Sequence, residues 1–191
     1  MRNMKATSNI QILWKIQVKD DKTGKIVSTK KGKSKSLVLQ FLQHIQVILF
    51  QANVTMKDTG GTNRSEPTVA PYGQPIAGDA TYGIVVGTGT TAVGNTDNKL
   101  TTQIAHGSGA AQLNYGAESQ VAAQVVGANV DYTHSRTFQN LSGATITITE
   151  IGMYVKDSTN TWYFCWIHDL ATQAVLNNQT ATVTYTFRTT V

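Results

Sequence analysis

Two glycines in the middle of the chain raise the prospect of phosphate binding. Residues 87–92, GTGTTA, fit the relaxed dinucleotide pattern G-x-G-x-x-G/A. In that pattern a helix begins directly after the glycines and aims backbone N–H groups at the phosphate. The residues that follow here, 93–96, start helices poorly and contain a second turn. We therefore interpret Gly87 and Gly89 as structural residues of a turn.

Nucleophilic and metal chemistry have equally little support. Ser108 lies between glycines but lacks the G-x-S-x-G elbow of hydrolases. His106 and His134, with Asp131 or Asp169, would complete only a nominal triad. The four histidines are too far apart in sequence for a local metal-ligand pair, and one cysteine excludes an internal disulfide or thiolate cluster. We expect a protein that is not an enzyme and has no cofactor or metal.

A carboxylate is predicted on the buried side of a strand. Glu150 is in phase with Ile146 and Ile148, so it needs a partner inside the fold. Arg136 or Arg188 could provide a bidentate one. A buried pair that fixes strand register is favoured over a catalytic acid, and Gly152 indicates a bulge nearby.

An aromatic strand, TWYFCWIHDL, offers two interpretations. Trp162, Phe164 and Trp166 would share one face and could stack on bases or sugars. Because Tyr163 and Cys165 make the other face apolar too, burial between layers or between subunits is favoured.

The elements around these residues are mostly strands. The chain contains 28 threonines, and its alternating segments are rich in Val, Ile and Tyr, which suit a pleated surface. Alternation over 10–18, 144–149 and 183–187 predicts half-buried strands. We predict a mainly β fold, an antiparallel β-sandwich or barrel with one packed α-helix.

That helix is predicted over about 36–51, with Ser36 as its cap. Its expected packing face carries only apolar residues: Val38, Phe41, Leu42, Ile45, Ile48 and Leu49. The polar Gln40, Gln43 and His44 are expected elsewhere on the helix. A short helical turn over 100–104, capped by Asp97, is also predicted.

Residues 53–79 form the least periodic segment and contain all three prolines. Long loops of this kind tend to be functional or disordered, so we expect a long irregular arm that reaches a neighbouring subunit, or a flexible segment without function. Its predicted interface residues are Pro67, Pro71, Tyr72 and Pro75.

Charge is concentrated at one end of the chain. Residues 1–35 carry ten Lys/Arg and two Asp, a net 10 − 2 = +8, and are predicted to form a basic β-hairpin and linker ahead of a single β-rich domain, 36–191. Such a surface can contact other copies, an acidic protein or nucleic acid, or remain solvated. The lysines predicted to lie at this interface are Lys22, Lys25, Lys30, Lys31, Lys33 and Lys35. We expect no membrane span and no secretory signal, hence synthesis in the cytoplasm.

Residues 136–154, RTFQNLSGATITITEIGMY, resemble a pattern in structural proteins of tailed bacteriophages, including tail-collar fibre and similar virion components. Residues 83–107 look like a companion segment, and 183–191 are similar to the closing strand. These segments lie in the matching order within 81–191, whereas 53–79 has no counterpart.

The resemblance implies a self-assembling virion protein of the tail, collar, neck or head, made in the host cytoplasm. A capsid-decorating or receptor-binding protein that recognises a surface glycan or host partner is the alternative. A nucleic-acid binder that uses lysines 15–35 is a third hypothesis.

Overall fold

A computed structural model describes residues 9–50, 53–66, 73–157 and 161–190, which are mainly β-structure. The elements in chain order are β1 (Asn9–Asp20), β2 (Ile26–Lys33), α1 (Leu39–Phe50), β3 (Val54–Lys57), β4 (Asn63–Glu66), β5 (Gly83–Gly87), β6 (Asn114–Val126), β7 (Asn129–Asn140), β8 (Ile146–Lys156), β9 (Tyr163–Val175) and β10 (Gln179–Thr190). Within the described residues, no helix has the length and apolar character that crossing a membrane requires.

The strands form three antiparallel sheets. A five-stranded sheet has the order β2-β1-β10-β7-β6, a three-stranded sheet has the order β5-β8-β9, and β3 and β4 make a two-stranded ribbon. The predicted mainly β, sandwich-like fold with one helix is confirmed.

The main core lies between the two larger sheets. Alternating residues of β1, Ile12, Ile16 and Val18, are buried there together with residues of β5 and β10. β5 is buried on both faces along its length, which explains its continuous apolar run, IVV.

The three-stranded sheet is also covered on its other side. In β9, Cys165 and Ile167 join the main core, while Phe164 joins a second cluster with Val47 of α1 and Met56 of β3. Complete burial raises the pKa of the Cys165 thiol. The helix and the ribbon therefore form an outer layer on β9.

The predicted packing face of the helix is wrong. α1 buries Gln40, His44 and Val47 and leaves Leu42 and Leu49 exposed. The side of the helix that carries Gln40 and His44 turns inward, and much of the apolar side is left facing outward. Gln43 Nε2 donates to the Thr55 carbonyl at 3.0 Å, and Trp166 Nε1 donates to His44 Nδ1 at 3.1 Å.

The predicted N-cap is also wrong, because the helix begins later than expected. Leu37 pairs with Ile167 of β9, and the Ser36 carbonyl accepts the His168 N–H. These contacts hold the chain extended up to Val38, so α1 begins at Leu39.

The predicted irregular arm, 53–79, contains a hairpin. β3 and β4 pair directly, and the turn between them is closed by Asp58, which accepts the Thr62 N–H at 2.8 Å and bonds Arg64. The four-residue strand β4 is entirely polar, which hides it from hydrophobic periodicity. Pro67, Pro71 and Tyr72 lie outside the described residues.

The basic segment at the start of the chain is part of the main sheet. β1 and β2 form the expected hairpin, with Gly24 at positive φ in its turn. β1 also pairs with β10 over its full length, from Asn9↔Thr190 to Asp20↔Gln179. The hairpin is thus joined to the rest of the fold through twelve residues of backbone pairing.

Candidate functional site

The Glu150 carboxylate is fully buried and has four hydrogen-bond donors around it. Oε1 accepts the N–H groups of Gly89 at 2.9 Å and Thr102 at 2.7 Å. Oε2 accepts the Thr101 N–H at 2.9 Å and contacts His168 Nε2 at 2.9 Å. Both oxygens are therefore fully used within the fold.

His168 connects this carboxylate to a second one. Its Nδ1 lies 2.8 Å from Asp97 Oδ2, while its Nε2 faces Glu150. Both ring nitrogens face carboxylate oxygens, and only the imidazolium form can donate to both. The chain Asp97–His168–Glu150 holds the loop after β5 onto β8 and β9, and it fits a structural role.

Asp97 does not cap a helix, so that prediction is wrong. No helix forms over 100–104; the chain instead bends at Thr101 and Thr102 and then pairs with β5, with Gln103 opposite Gly87 and the Ile104 N–H donating to the Val86 carbonyl. Asp97 Oδ2 accepts the Gly94 N–H at 2.9 Å in addition to its bond with His168. Its carboxylate therefore bonds the loop both to itself, at Gly94, and to His168 of β9.

The glycine pattern is explained by this internal carboxylate. A Cβ placed on Gly87 would lie 2.4 Å from Glu150 Oε1, and one placed on Gly89 would lie 2.6 Å from the same atom. The Gly89 N–H that a phosphate would need already donates to Glu150.

Gly152 is equally confined, since its Cβ would meet the Ile167 carbonyl at 2.7 Å. Register shifts flank Gly152 on both sides, at Ile148/Glu150 and Met153/Tyr154.

A second buried cluster surrounds Arg136. Its guanidinium donates to the carbonyls of Gly116 at 2.8 Å and of Tyr82 and Ile84 at 3.1 Å each, and it also reaches Asp79. Burial lowers the pKa of Arg136, and nearby Glu118 opposes this shift. Arg136 therefore joins β6, β7 and the start of β5 through backbone carbonyls.

Glu118 has its own partners. It accepts the Ile84 N–H at 2.7 Å and contacts His134 Nδ1 at 2.7 Å. The predicted pairing of Glu150 with Arg136 or Arg188 is wrong, because Arg188 forms a two-point ion pair with Asp131 at 2.7 and 2.6 Å.

The residues considered for a triad are likewise engaged separately. His106 Nδ1 accepts the Tyr115 N–H, His134 bonds Glu118, and Asp169 accepts the Lys35 N–H. The sequence interpretation missed His168 and Glu118. The available signal for His168 was its position inside a strand that is otherwise strongly apolar.

The aromatic strand faces the helix. Phe164 is buried, and Trp166 packs edge-on against Phe41 at 5.4 Å between ring centroids. Trp162 lies half-buried beside the second cluster, with Arg64 stacked over its ring at 4.8 Å. These contacts occupy the faces that a stacking platform would need.

The predicted interface residues fall into two groups. Pro75 is buried within the subunit, and its carbonyl accepts the Glu118 N–H at 3.1 Å. Lys30 donates to the Thr172 carbonyl at 2.6 Å and thus bridges the two sheets. The remaining predicted lysines are exposed: Lys22, Lys25, Lys31, Lys33 and Lys35.

α1 presents an apolar surface to solvent. Leu42 and Leu49 are 62% and 66% exposed, whereas Gln40 and His44 on the inner side are 2% and 0% exposed. The helix carries no Asp, Glu, Lys or Arg. We call its exposed apolar residues, Leu39, Leu42, Ile48, Leu49 and Phe50, the apolar helix surface.

The five-stranded sheet has a second uncovered apolar region at one end. Ile10, Val130 and Val125 lie in one cross-strand row through Thr189. This row is on the same side as the core residue Ile12, yet Ile10 is 74% and Val125 77% exposed. At this end of the five-stranded sheet, therefore, none of the described residues covers the apolar side chains on the core-facing side.

Together these observations define a sandwich-like β protein with closed internal ionic clusters and open apolar surfaces. Comparisons of the chain with protein-family models, with curated protein sequences and with solved structures find no match.

Proposed function

We propose that this chain is a structural protein of a tailed-bacteriophage virion, a tail, collar or neck component that assembles with copies of itself and with other virion proteins. In this proposal it is made in the host cytoplasm and acts in the particle. The order of the segments that resemble such proteins supports the class, and the outward leucines of α1 support assembly.

The apolar helix surface is the observation that carries assembly. A surface helix normally turns its apolar stripe to the core of its own domain. Here Leu42 and Leu49 remain in water, although burying a leucine side chain is worth about 1.5–3 kcal/mol. A contact between subunits recovers this free energy.

A second copy of the chain is the partner that this surface fits. Because α1 carries no formal charge, two copies can bring their helices together without like-charge repulsion. The exposed row at Ile10 and Val125 is also neutral and apolar, so it provides further contact area of the same kind. Inter-subunit strand contacts and arm exchange remain part of the proposal.

The receptor-binding alternative needs aromatic side chains that are free for a ligand. Trp166 donates to His44, Phe164 is buried under α1, and Trp162 contacts Arg64. These contacts support a scaffold over a glycan-binding platform.

The test measures the molar mass of the purified protein in solution by light scattering over a range of protein concentrations. Electron microscopy of the same samples shows the shape of any oligomers. We expect wild type to form rings, tubes or closed oligomers. L42S/L49S should shift the mass to the monomer, while its free energy of unfolding stays within about 1 kcal/mol of that of dilute, monomeric wild type because both side chains are exposed.

L170S/L176S is the matched control, since it removes two other exposed leucines. It should assemble like wild type. Monomeric wild type at every concentration, or equal loss of assembly in the two variants, would refute the role of the helix. The virion assignment is tested separately, by searching purified particles for peptides of this chain.

A further inference from the structure

Three lysines share one face of the β1–β2 hairpin. Residues with odd numbers in the middle of β1 point away from the core, because Ile12, Ile16 and Val18 point inward. Lys15 is directly opposite Lys31, and Lys33 is opposite Leu13 on the same face. We call Lys15, Lys31 and Lys33 the lysine face.

The lysine face borders an open groove on the outer side of the five-stranded sheet. Threonine side chains from β7 and β10 line the groove together with the three lysines. They are Thr133, Thr184 and Thr186. Ammonium and hydroxyl groups together are the donors that contact phosphate oxygens in protein–nucleic acid complexes.

This positive surface has no counter-ion within the part of the chain that the structure describes. None of the three lysines forms an ion pair there. The carboxylates of the same sheet bond other partners: Asp131 bonds Arg188, Glu118 bonds His134, and Asp20 bonds Thr23. Two copies that met through this same face would place like charges against each other, so the face does not suit a symmetric contact between copies.

Protection of a sheet edge explains only part of the pattern. Lysines on the edge strand β2 discourage unwanted strand pairing. Lys15, however, lies on β1, an inner strand that pairs with β2 along one edge and with β10 along the other. Like charges placed directly opposite in a sheet are destabilising, so the Lys15–Lys31 pair has a cost that edge protection does not require.

We propose that the lysine face binds the phosphate backbone of double-stranded DNA without sequence preference. A base-stacking mode, which single strands would use, needs a free aromatic face, whereas Trp14, which also lines the groove, lies against Gly32 and packs on the main core. The inference stands apart from self-assembly, because the lysine face and the apolar helix surface share no residue.

The test is a salt titration of binding to a short fluorescent duplex of random sequence, read by anisotropy. Three lysine–phosphate contacts give a slope of log K against log salt of about −2.7, or about a 40-fold loss between 50 and 200 mM. K31Q/K33Q should reduce the magnitude of this slope by about 1.8.

K57Q/K99Q is the matched control, because it makes the same change in net charge at lysines outside the hairpin. Its slope should equal that of wild type. Absence of duplex binding at low salt, or equal slopes for the two double variants, would overturn the proposal. Tighter binding to single strands, or binding to poly-glutamate but not to DNA, would overturn it in favour of another polyanion.

Discussion

Replacing Glu150 by Gln should destabilise the fold more than any exposed charge substitution. The side chain keeps its shape but exchanges one acceptor oxygen for an NH₂ donor. In either amide orientation, two of the four groups around Glu150 then face a donor: Thr101 and His168, or Gly89 and Thr102. In both orientations His168 loses one of the two carboxylates that it contacts, while Asp97 remains.

Each buried donor left without an acceptor costs about 1–3 kcal/mol, so E150Q should lose about 4 kcal/mol of unfolding free energy. Removing one partner of a buried ion pair costs about 3–5 kcal/mol, which agrees. With a urea m-value of about 2 kcal/mol/M, the midpoint should fall by about 2 M with m unchanged.

Tryptophan fluorescence in urea, at one fixed protein concentration, measures this shift. Asp20→Asn is the control, because Asp20 is a turn carboxylate whose Oδ1 accepts the Thr23 N–H, and an Asn side chain retains that oxygen. Its midpoint should move by less than about 0.5 M. A shift that small for E150Q would contradict the conclusion that Glu150 holds the loop after β5 in place.

Two further predictions concern the helix and the glycine loop. Burial lowers the pKa of His44 to about 4. Below pH 6.5 the unfolded chain therefore binds a proton at His44 that the folded chain does not bind. The free energy of unfolding should fall by about 3 kcal/mol between pH 6.5 and pH 4. His44→Leu should lack this component when urea midpoints are compared across that range, and an unchanged pH dependence would contradict it. Gly87→Ala should cost about 2 kcal/mol, since its Cβ would lie 2.5 Å from the Thr102 carbonyl oxygen. Gly94→Ala, whose nearest atom is 3.2 Å away on the Asp97 side chain, should cost less than half as much, and equal thermal midpoints would rule out this crowding.

The strands were predictable wherever one face alone is buried. β1 and β10 show the alternation of their sequences, as does the first half of β8, and the β6–β7 hairpin turns at Gly127, which has φ 63°. β4 was not predictable from periodicity, because its polar residues are held by pairing with β3 and by Asp58 rather than by burial.

The orientation of α1 and the partner of Glu150 depend on contacts between distant parts of the chain. The sequence shows an apolar face on α1, but the helix turns its polar side inward, where Trp166 bonds His44 and Gln43 bonds the Thr55 carbonyl. Glu150 was correctly placed inside, but its donors lie 48 to 61 residues earlier in a loop and 18 residues later in β9. Such pairings appear only when the sheets are assembled.

Because Cys165 is completely buried, the folded protein can be labelled selectively at a cysteine introduced on its surface. The chain has a single cysteine, and that thiol lies wholly inside the sandwich, where reagents for thiolates do not reach it. A cysteine introduced at an exposed site, for example Val125→Cys, would be the one reactive thiol of the native protein. Fluorophores or cross-linkers can thus be directed to a chosen surface without first removing the natural residue.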